Sequence, residues 1–320
     1  MKNRINIITV LCAAAFVLIC ILSACTDNTG PFYATGRPEP GEQTAAGEQT
    51  TGSFSGNGKN ELPALEIETT EEQTTVIEQT TADEKIPVSI EITLATFNIK
   101  HGAEGLENVA RVISEISPDI IGLEEVDINC DRSGKVDEAA ELARLAGYTY
   151  YAFAKAISLG GGEYGTALLS RYPIESFEVI PLESGGKEKR SVGHAAVYIE
   201  EMKIDVLVTH LSYEDRSVRI AQMETIGEML KSYDSYILVG DLNCFDLNDI
   251  SYIGGAYYVN RPDRRYLTFH RYDTFIPDNI VVSDNFTELS SGMYVTECSD
   301  HNLLYAVFLL SEQSAYKPSV

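Results

Sequence analysis

Ser299-Asp300-His301 stands directly before the apolar run Leu303-Leu304-Tyr305-Ala306-Val307-Phe308. A carboxylate and an imidazole at the mouth of a buried strand offer a ligand for a hard cation and a base that titrates near neutral pH. Other polar residues occupy comparable places. Asn98 follows Thr96-Phe97, Glu125 follows Gly122-Leu123-Glu124, and Asp241 and Asn243 follow Val239-Gly240. His210 ends a further apolar segment, and Asp278 opens Asp278-Asn279-Ile280-Val281-Val282. Taken singly, each has a plainer reading: an Asx turn at Asp241, a structural histidine at 210, a surface carboxylate at 125. Together they supply hard oxygen ligands suited to Mg²⁺ or Mn²⁺, two imidazoles, and neutral amides able to hydrogen-bond a phosphate. The chain shows no thiolate nucleophile, Ser-centred elbow or Gly-rich phosphate loop. The chemistry implied is attack of an activated water on a phosphoester.

The elements that must hold these residues begin at Ser89. Ile90, Ile92 and Leu94 alternate with polar neighbours, as in a strand with one buried face. Leu106, Val109, Ala110, Ile113 and Ile116 repeat at helical spacing within 104–117, and Pro118 stops that helix. Residues 119–123 form a buried strand ending on Glu124-Glu125. A second helix spans 136–146 and stops at Gly147. Strands are expected near 148–154, 165–171, 176–182, 192–200 and 202–210. A third helix covers 215–231, and a strand at 236–239 runs into Gly240-Asp241. Further strands are expected at 267–270, 278–283, 292–296 and 303–309. Hairpins interrupted by three helices suit two packed sheets with helices outside.

The first 88 residues have a different texture. Lys2 and Arg4 precede an apolar run from Ile7 to Leu22, and Ser23-Ala24-Cys25 follows. This describes a secretory signal peptide over 1–24. The cysteine after small residues resembles a bacterial lipobox, which implies lipid on Cys25 and an extracytoplasmic, membrane-anchored lipoprotein. Residues 25–88 are rich in Thr, Glu, Gln, Gly and Pro, with Glu-Gln-Thr recurring at Glu42, Glu48, Glu72 and Glu78. That composition cannot bury enough surface to offset chain entropy, and it reads as a disordered acidic tether. The folded domain is then 89–311, with 312–320 as a tail. Beyond the leader and Cys25 only Cys130, Cys244 and Cys298 remain, too few for a disulfide framework.

The formal net charge is -24. Residues before 89 hold 12 acids and 5 bases, which leaves 36 acids and 19 bases in the rest. A generic duplex binder needs a basic face. Only two local basic clusters are visible, Lys187/Lys189/Arg190 and Arg261/Arg264/Arg265/Arg271. Nucleic acid is therefore a disfavoured partner, and a monomer meeting a small phosphoester is expected.

The ordered set Thr96-Phe97-Asn98-Ile99, Gly122-Leu123-Glu124-Glu125-Val126, Tyr164-Gly165-Thr166-Ala167-Leu168-Leu169-Ser170-Arg171, Thr209-His210-Leu211, Gly240-Asp241-Leu242-Asn243, Asp278 and Ser299-Asp300-His301 resembles the endonuclease/exonuclease/phosphatase superfamily over nearly all of residues 90–310. The resemblance implies an α/β four-layer sandwich, two central mixed sheets flanked by helices, with the site at one end. It implies a divalent metal on Glu125, helped by Asn98 and Asp300. Asp241 would position or deprotonate water, and Asn243 and His210 would bind phosphoryl oxygens. His301 would act as base or charge stabiliser, oriented by Asp278. His101, just past the first strand, and Arg190, before a strand facing the site, are candidate substrate contacts. The chain departs from the family pattern in three places. Glu124 stands where Gln is usual, and is expected to face away from the site. Asn279 replaces the usual aromatic, and the segment between Asn243 and Asp278 is short. Sphingomyelinases, inositol-phosphate phosphatases and nucleases share this scaffold, so the resemblance does not choose among a small or lipid-derived ester, a secreted nuclease substrate and a non-catalytic binding role.

Overall fold

The computed structural model describes residues 89–255, 257–270 and 275–312. The expected signal peptide, tether and Cys25, and all but the first residue of the tail, lie outside these. The described chain runs β1 (Ser89–Asn98), α1 (Leu106–Ile116), β2 (Ile120–Ile128), α2 (Glu138–Ala146), β3 (Tyr150–Leu159), β4 (Gly162–Ser170), β5 (Ile174–Leu182), β6 (Arg190–Ile199), β7 (Met202–His210), α3 (Arg216–Leu230), β8 (Tyr236–Asp241), β9 (Tyr257–Tyr258), β10 (Asp278–Val282), β11 (Phe286–Tyr294) and β12 (Leu303–Ser311), with short 3₁₀ turns between.

Two six-stranded mixed sheets form, ordered β11-β12-β1-β2-β4-β3 and β5-β6-β7-β8-β10-β9. The facing sheets enclose one core that includes Leu94, Leu168, Phe177, Val208, Val239, Ile280 and Phe308. A second core, including Val109, Ile113 and Leu142, lies between the first sheet and α1 and α2. A third, including Met223 and Ile226, lies under α3. The layers are thus helix, sheet, sheet, helix. The sheets approach closely at Gly122, where a Cβ would stand 2.5 Å from Val239.

Each sheet has a single parallel pair, β1 with β2 and β7 with β8. Parallel neighbours end at the same edge, and an antiparallel neighbour begins there. Asn98, His210 and Asp241 close β1, β7 and β8, and β2 reaches Glu125 near its end. Asp278 opens β10 directly opposite Asp241, and His301 lies just before β12. Topology therefore gathers the polar residues at one end.

Helix boundaries follow local chemistry. Asp137 caps α2 by accepting from the Ala140 amide at 2.9 Å, and Asp215 caps α3 through the amides of Ser217 and Val218. Gly147 closes α2 in a left-handed conformation.

Two strand expectations need correction, and one strand was not expected. Residues 267–270 form no strand; only a bridge joins Phe269 to His301. Backbone bonds from Asn302 to Thr268 and from His270 to Asp300 tie this loop to the segment before β12, so its alternating pattern reflects packing on a loop. The strand placed at 292–296 begins at Phe286 and ends at Tyr294. It is an edge strand of the first sheet, with a register shift between Glu288 and Ser290. The two-residue β9 has too short a pattern to be read from sequence. Cys130, Cys244 and Cys298 are buried free thiols.

Candidate active site

Asn98 is the clasp of the site. Its Nδ2 donates to Glu125 Oε1 at 3.1 Å and to Asp241 Oδ2 at 3.2 Å, which joins the two sheets. Its Oδ1 accepts from the Lys100 amide at 3.1 Å. Glu125 reaches Asn98 because β2 bulges there. The pairing with β4 shifts between Glu124 and Val126, and Glu125 takes φ 58°. A bulge breaks strict alternation and re-aims the side chain toward the rim.

Asp241 sits at the centre. Its Oδ2 is 3.5 Å from His210 Nε2 and 3.8 Å from His301 Nε2. Its Oδ1 accepts from the Asn243 amide at 2.9 Å, so the Asx turn read from sequence is present and also fixes the carboxylate. Asn243 adopts φ 51°, and its Nδ2 donates to the Leu211 carbonyl at 2.9 Å. Asp278 is fully buried, and its Oδ2 lies 2.9 Å from His301 Nδ1. Phe269 packs edge-on to the His301 ring, with centroids 4.9 Å apart.

Burial and neighbours set the charge states. Burial works against charge on His301, but Asp278, with its hydrogen bond, Asp241 and Glu125 outweigh it and raise the imidazole to about 10. Burial and the nearby Asp278 carboxylate raise Asp241, with His301 opposing. Burial, Arg190 and His301 hold His210 well below its ordinary value, so that ring is neutral at pH 7.

Glu124 departs from expectation. It is fully buried on the inner face, where Thr96 Oγ1 donates to its Oε1 at 2.9 Å. Alternation explains this, since Gly122 and Glu124 share the face toward the other sheet. Burial, then Asp278 and Asp241, raise its carboxyl well above the usual range.

The remaining candidates lie around this centre. The Asp300 carboxylate pairs with Lys100 Nζ at 3.4 Å. His101, in a left-handed turn at φ 45°, lines a cleft of about 710 Å³ with Leu106, Arg132, Ser133 and Glu138. Arg190 is only 3% exposed, and its NH1 pairs with Glu188 at 3.1 Å. Sequence reasoning did not single out Lys100, Phe269 or Asn260. Asn260 Nδ2 donates to the Asp278 carbonyl at 2.8 Å, and Asn279 bonds the Asn260 backbone through both ends of its amide. Asn279, in the aromatic's place, thus clamps the 259–268 loop beside Asp278. Two asparagines far apart in sequence carry no local signal for such a clamp.

Oxygen and nitrogen ligand atoms of Asp241, Asp278 and His301 lie within 4.8 Å of one another, a candidate metal cluster. Asp278 Oδ1 is buried with no hydrogen-bond partner, and Glu125 lies one hydrogen-bonded amide away. With His301 held protonated, the donors left are the carboxylate oxygens of Glu125, Asp241 and Asp278, which a hard divalent cation fits.

The model of the Endonuclease/Exonuclease/phosphatase family matches residues 95–301. The chain belongs to this family. Among solved structures, an endonuclease/exonuclease/phosphatase from Beutenbergia cavernae is similar at TM-score 0.60 and 20% identity, covering 69% of this chain and 72% of that one. A mannosyl-6-phosphatase from Bacteroides thetaiotaomicron gives 0.53 and 16%, covering 68% and 99%. D. rerio TDP2 complexed with a single-strand DNA product gives 0.51 and 18%, covering 68% and 98%. A comparison with curated protein sequences gives no significant match. Family membership accounts for the two mixed sheets with the polar cluster at one end.

Proposed function

We propose that this chain is a divalent-metal-dependent phosphoester hydrolase acting on a small or lipid-derived ester. The observation that carries the reading is the meeting of Asn98, Glu125, His210, Asp241, Asp278 and His301, from both sheets, in one patch joined by hydrogen bonds and close charged contacts. Glu125, with the Asp241 and Asp278 carboxylates nearby, would hold Mg²⁺ or Mn²⁺. Such an ion supplies charge neutralisation at the phosphoryl group.

The protein's own groups divide the proton work. Asp241, with its carboxyl raised by burial and by Asp278, takes the proton of the attacking water. His301, kept protonated by Asp278, stabilises negative charge developing on phosphoryl oxygen. His210 is neutral and donates a hydrogen bond from Nε2. The cleft beyond His101 receives the alcohol part of the ester.

The basic residues support a small ester over nucleic acid. Arg264 forms a two-pronged pair with Glu288, and Arg261 donates to Tyr257 at 2.7 Å and to Asp263 at 3.0 Å. Arg190 is buried against Glu188. These cations are paired within the fold, which weakens a phosphate-backbone track. The leader and Cys25 place the enzyme, in this reading, on the outer face of a bacterial membrane.

The test is a panel with Mg²⁺ and with EDTA: bis-p-nitrophenyl phosphate, sugar and inositol phosphates, sphingomyelin and plasmid DNA. Metal-dependent cleavage of a non-nucleic ester is expected. No metal-dependent cleavage of any member defeats the reading, and preference for DNA with a steep salt dependence replaces it with a nuclease.

A further inference from the structure

Three buried polar atoms without hydrogen-bond partners lie on residues lining one space beneath the site. They are Arg190 Nε, His210 Nδ1 and Thr166 Oγ1. The space is enclosed by β3 and β4 of one sheet and β6 and β7 of the other. A register shift between Lys155 and Ile157 in β3 leaves Ala156 at its wall. Tyr164, at 7% exposure, lines it too. Its volume is about 10 Å³, the size of one water molecule. A buried donor or acceptor left without a partner is costly. Three around one water-sized space are what a bound water satisfies.

We infer that this space is a structural water site, and that the water fixes His210 with its proton on Nε2. Arg190 Nε can only donate, so the water accepts from it. His210 Nε2 faces the carboxylate oxygen Oδ2 of Asp241 at 3.5 Å. A ring with one proton places it toward that oxygen, which leaves Nδ1 as an acceptor. The water donates to Nδ1, and its remaining hydrogen bond goes to Thr166, whose hydroxyl can adapt. No covalent bond forms or breaks. Arg190 and Thr166 are then positioning residues that act on His210 through the water, and Arg190 does not touch substrate.

The consequence for turnover rests on the hydrolase reading above; the water and the tautomer do not. With Nε2 protonated, neutral His210 can donate to a phosphoryl oxygen. With Nδ1 protonated it would present a lone pair to that oxygen and repel it.

Imidazole ¹⁵N spectra of the full chain, free of substrate, distinguish protonated from bare ring nitrogens. The chain has five histidines, and the His210→Gln spectrum identifies the signals of His210. The expected result is a protonated Nε2 and a bare Nδ1 in the wild type. Thr166→Val, nearly isosteric, removes one partner of the water. It should give mixed tautomers and lower kcat by about tenfold, as outer-shell changes do, with KM little changed. A wild-type ring protonated at Nδ1 overturns the inference whether or not the variant folds. An unchanged tautomer in a folded Thr166→Val also overturns it. Absence of hydrolase activity would defeat the functional reading alone, since the tautomer is read on the free protein.

Discussion

Asp278→Asn tests whether a buried carboxylate holds the charge on His301. The wild-type contact is 2.9 Å from Oδ2 to Nδ1, and Asp278 is fully buried. Two unit charges about 4 Å apart interact by about 4 kcal/mol at an effective dielectric constant of about 20. At about 1.4 kcal/mol per pKa unit, this is about 3 units. His301 should therefore fall from about 10 to about 7 in the variant. The amide can also face Nδ1 with either end, which loosens ring orientation. Loss of at least about 10²-fold in kcat is expected. His301's folded-state pKa lies above its unfolded value, so the pair's stabilisation is fully present below about pH 6.5 and is lost as pH rises through about 10. The wild-type advantage in unfolding free energy should therefore be largest in mild acid and shrink toward pH 10. The assays are an NMR titration of the His301 ring and urea unfolding at several pH values. A His301 pKa still near 10 in the variant would refute the claim that Asp278 is the main source of its charge.

Glu138 is buried at the start of α2, with Oε2 accepting from the Asp127 amide at 2.7 Å, and burial raises its carboxyl to about 7. Its stabilising protonated state is fully present below the unfolded value near 4.5 and lost as pH rises through about 7. Glu138→Gln should remove a loss of at most about 3 kcal/mol between pH 4.5 and 8, read by urea unfolding. Glu124→Gln should raise the melting temperature more at pH 8 than at pH 5, because the carboxyl it replaces is also held above the usual range; an equal gain at both would count against a charge origin. Gly240→Ala should cost about 3 kcal/mol, seen as a lower urea midpoint, because its Cβ would lie 2.1 Å from the Thr209 carbonyl oxygen.

The layered fold and most of the cluster were legible because both follow from short-range patterns. Alternation at Ile90, Ile92 and Leu94, helical spacing from Leu106 to Ile116 and the stop at Pro118 each reflect burial along one element. Polar residues at the ends of apolar strands marked Asn98, Asp241 and Asp278. Glu124 was expected to face away from the site, but what it meets there was not legible, because the bulge that separates it from Glu125 depends on pairing with β4. The 267–270 segment alternates like a strand, yet its partners are the backbones of Asp300 and Asn302. Arg190 sat at the right strand start, but only the packed sheets show it buried. These readings share a limit: each depends on partners distant in sequence, and strand periodicity describes only one element at a time.

The same inter-sheet placement bears on why the proposed hydrolase would need a cation. The cations around the site have acidic partners: Lys100 with Asp300, Arg132 with Asp127 and Arg190 with Glu188. Glu125, Asp241 and Asp278 then face the reaction centre with His301 as their main positive counterpart, and burial works against charge on Glu124. An anionic phosphoester entering such a site meets repulsion that low-dielectric walls strengthen. The paired arginines cannot offset it without breaking buried contacts. A divalent ion among the carboxylates would turn the local field attractive and leave the fold's own ion pairs intact. Metal dependence, in this account, follows from where the fold has already committed its positive charges.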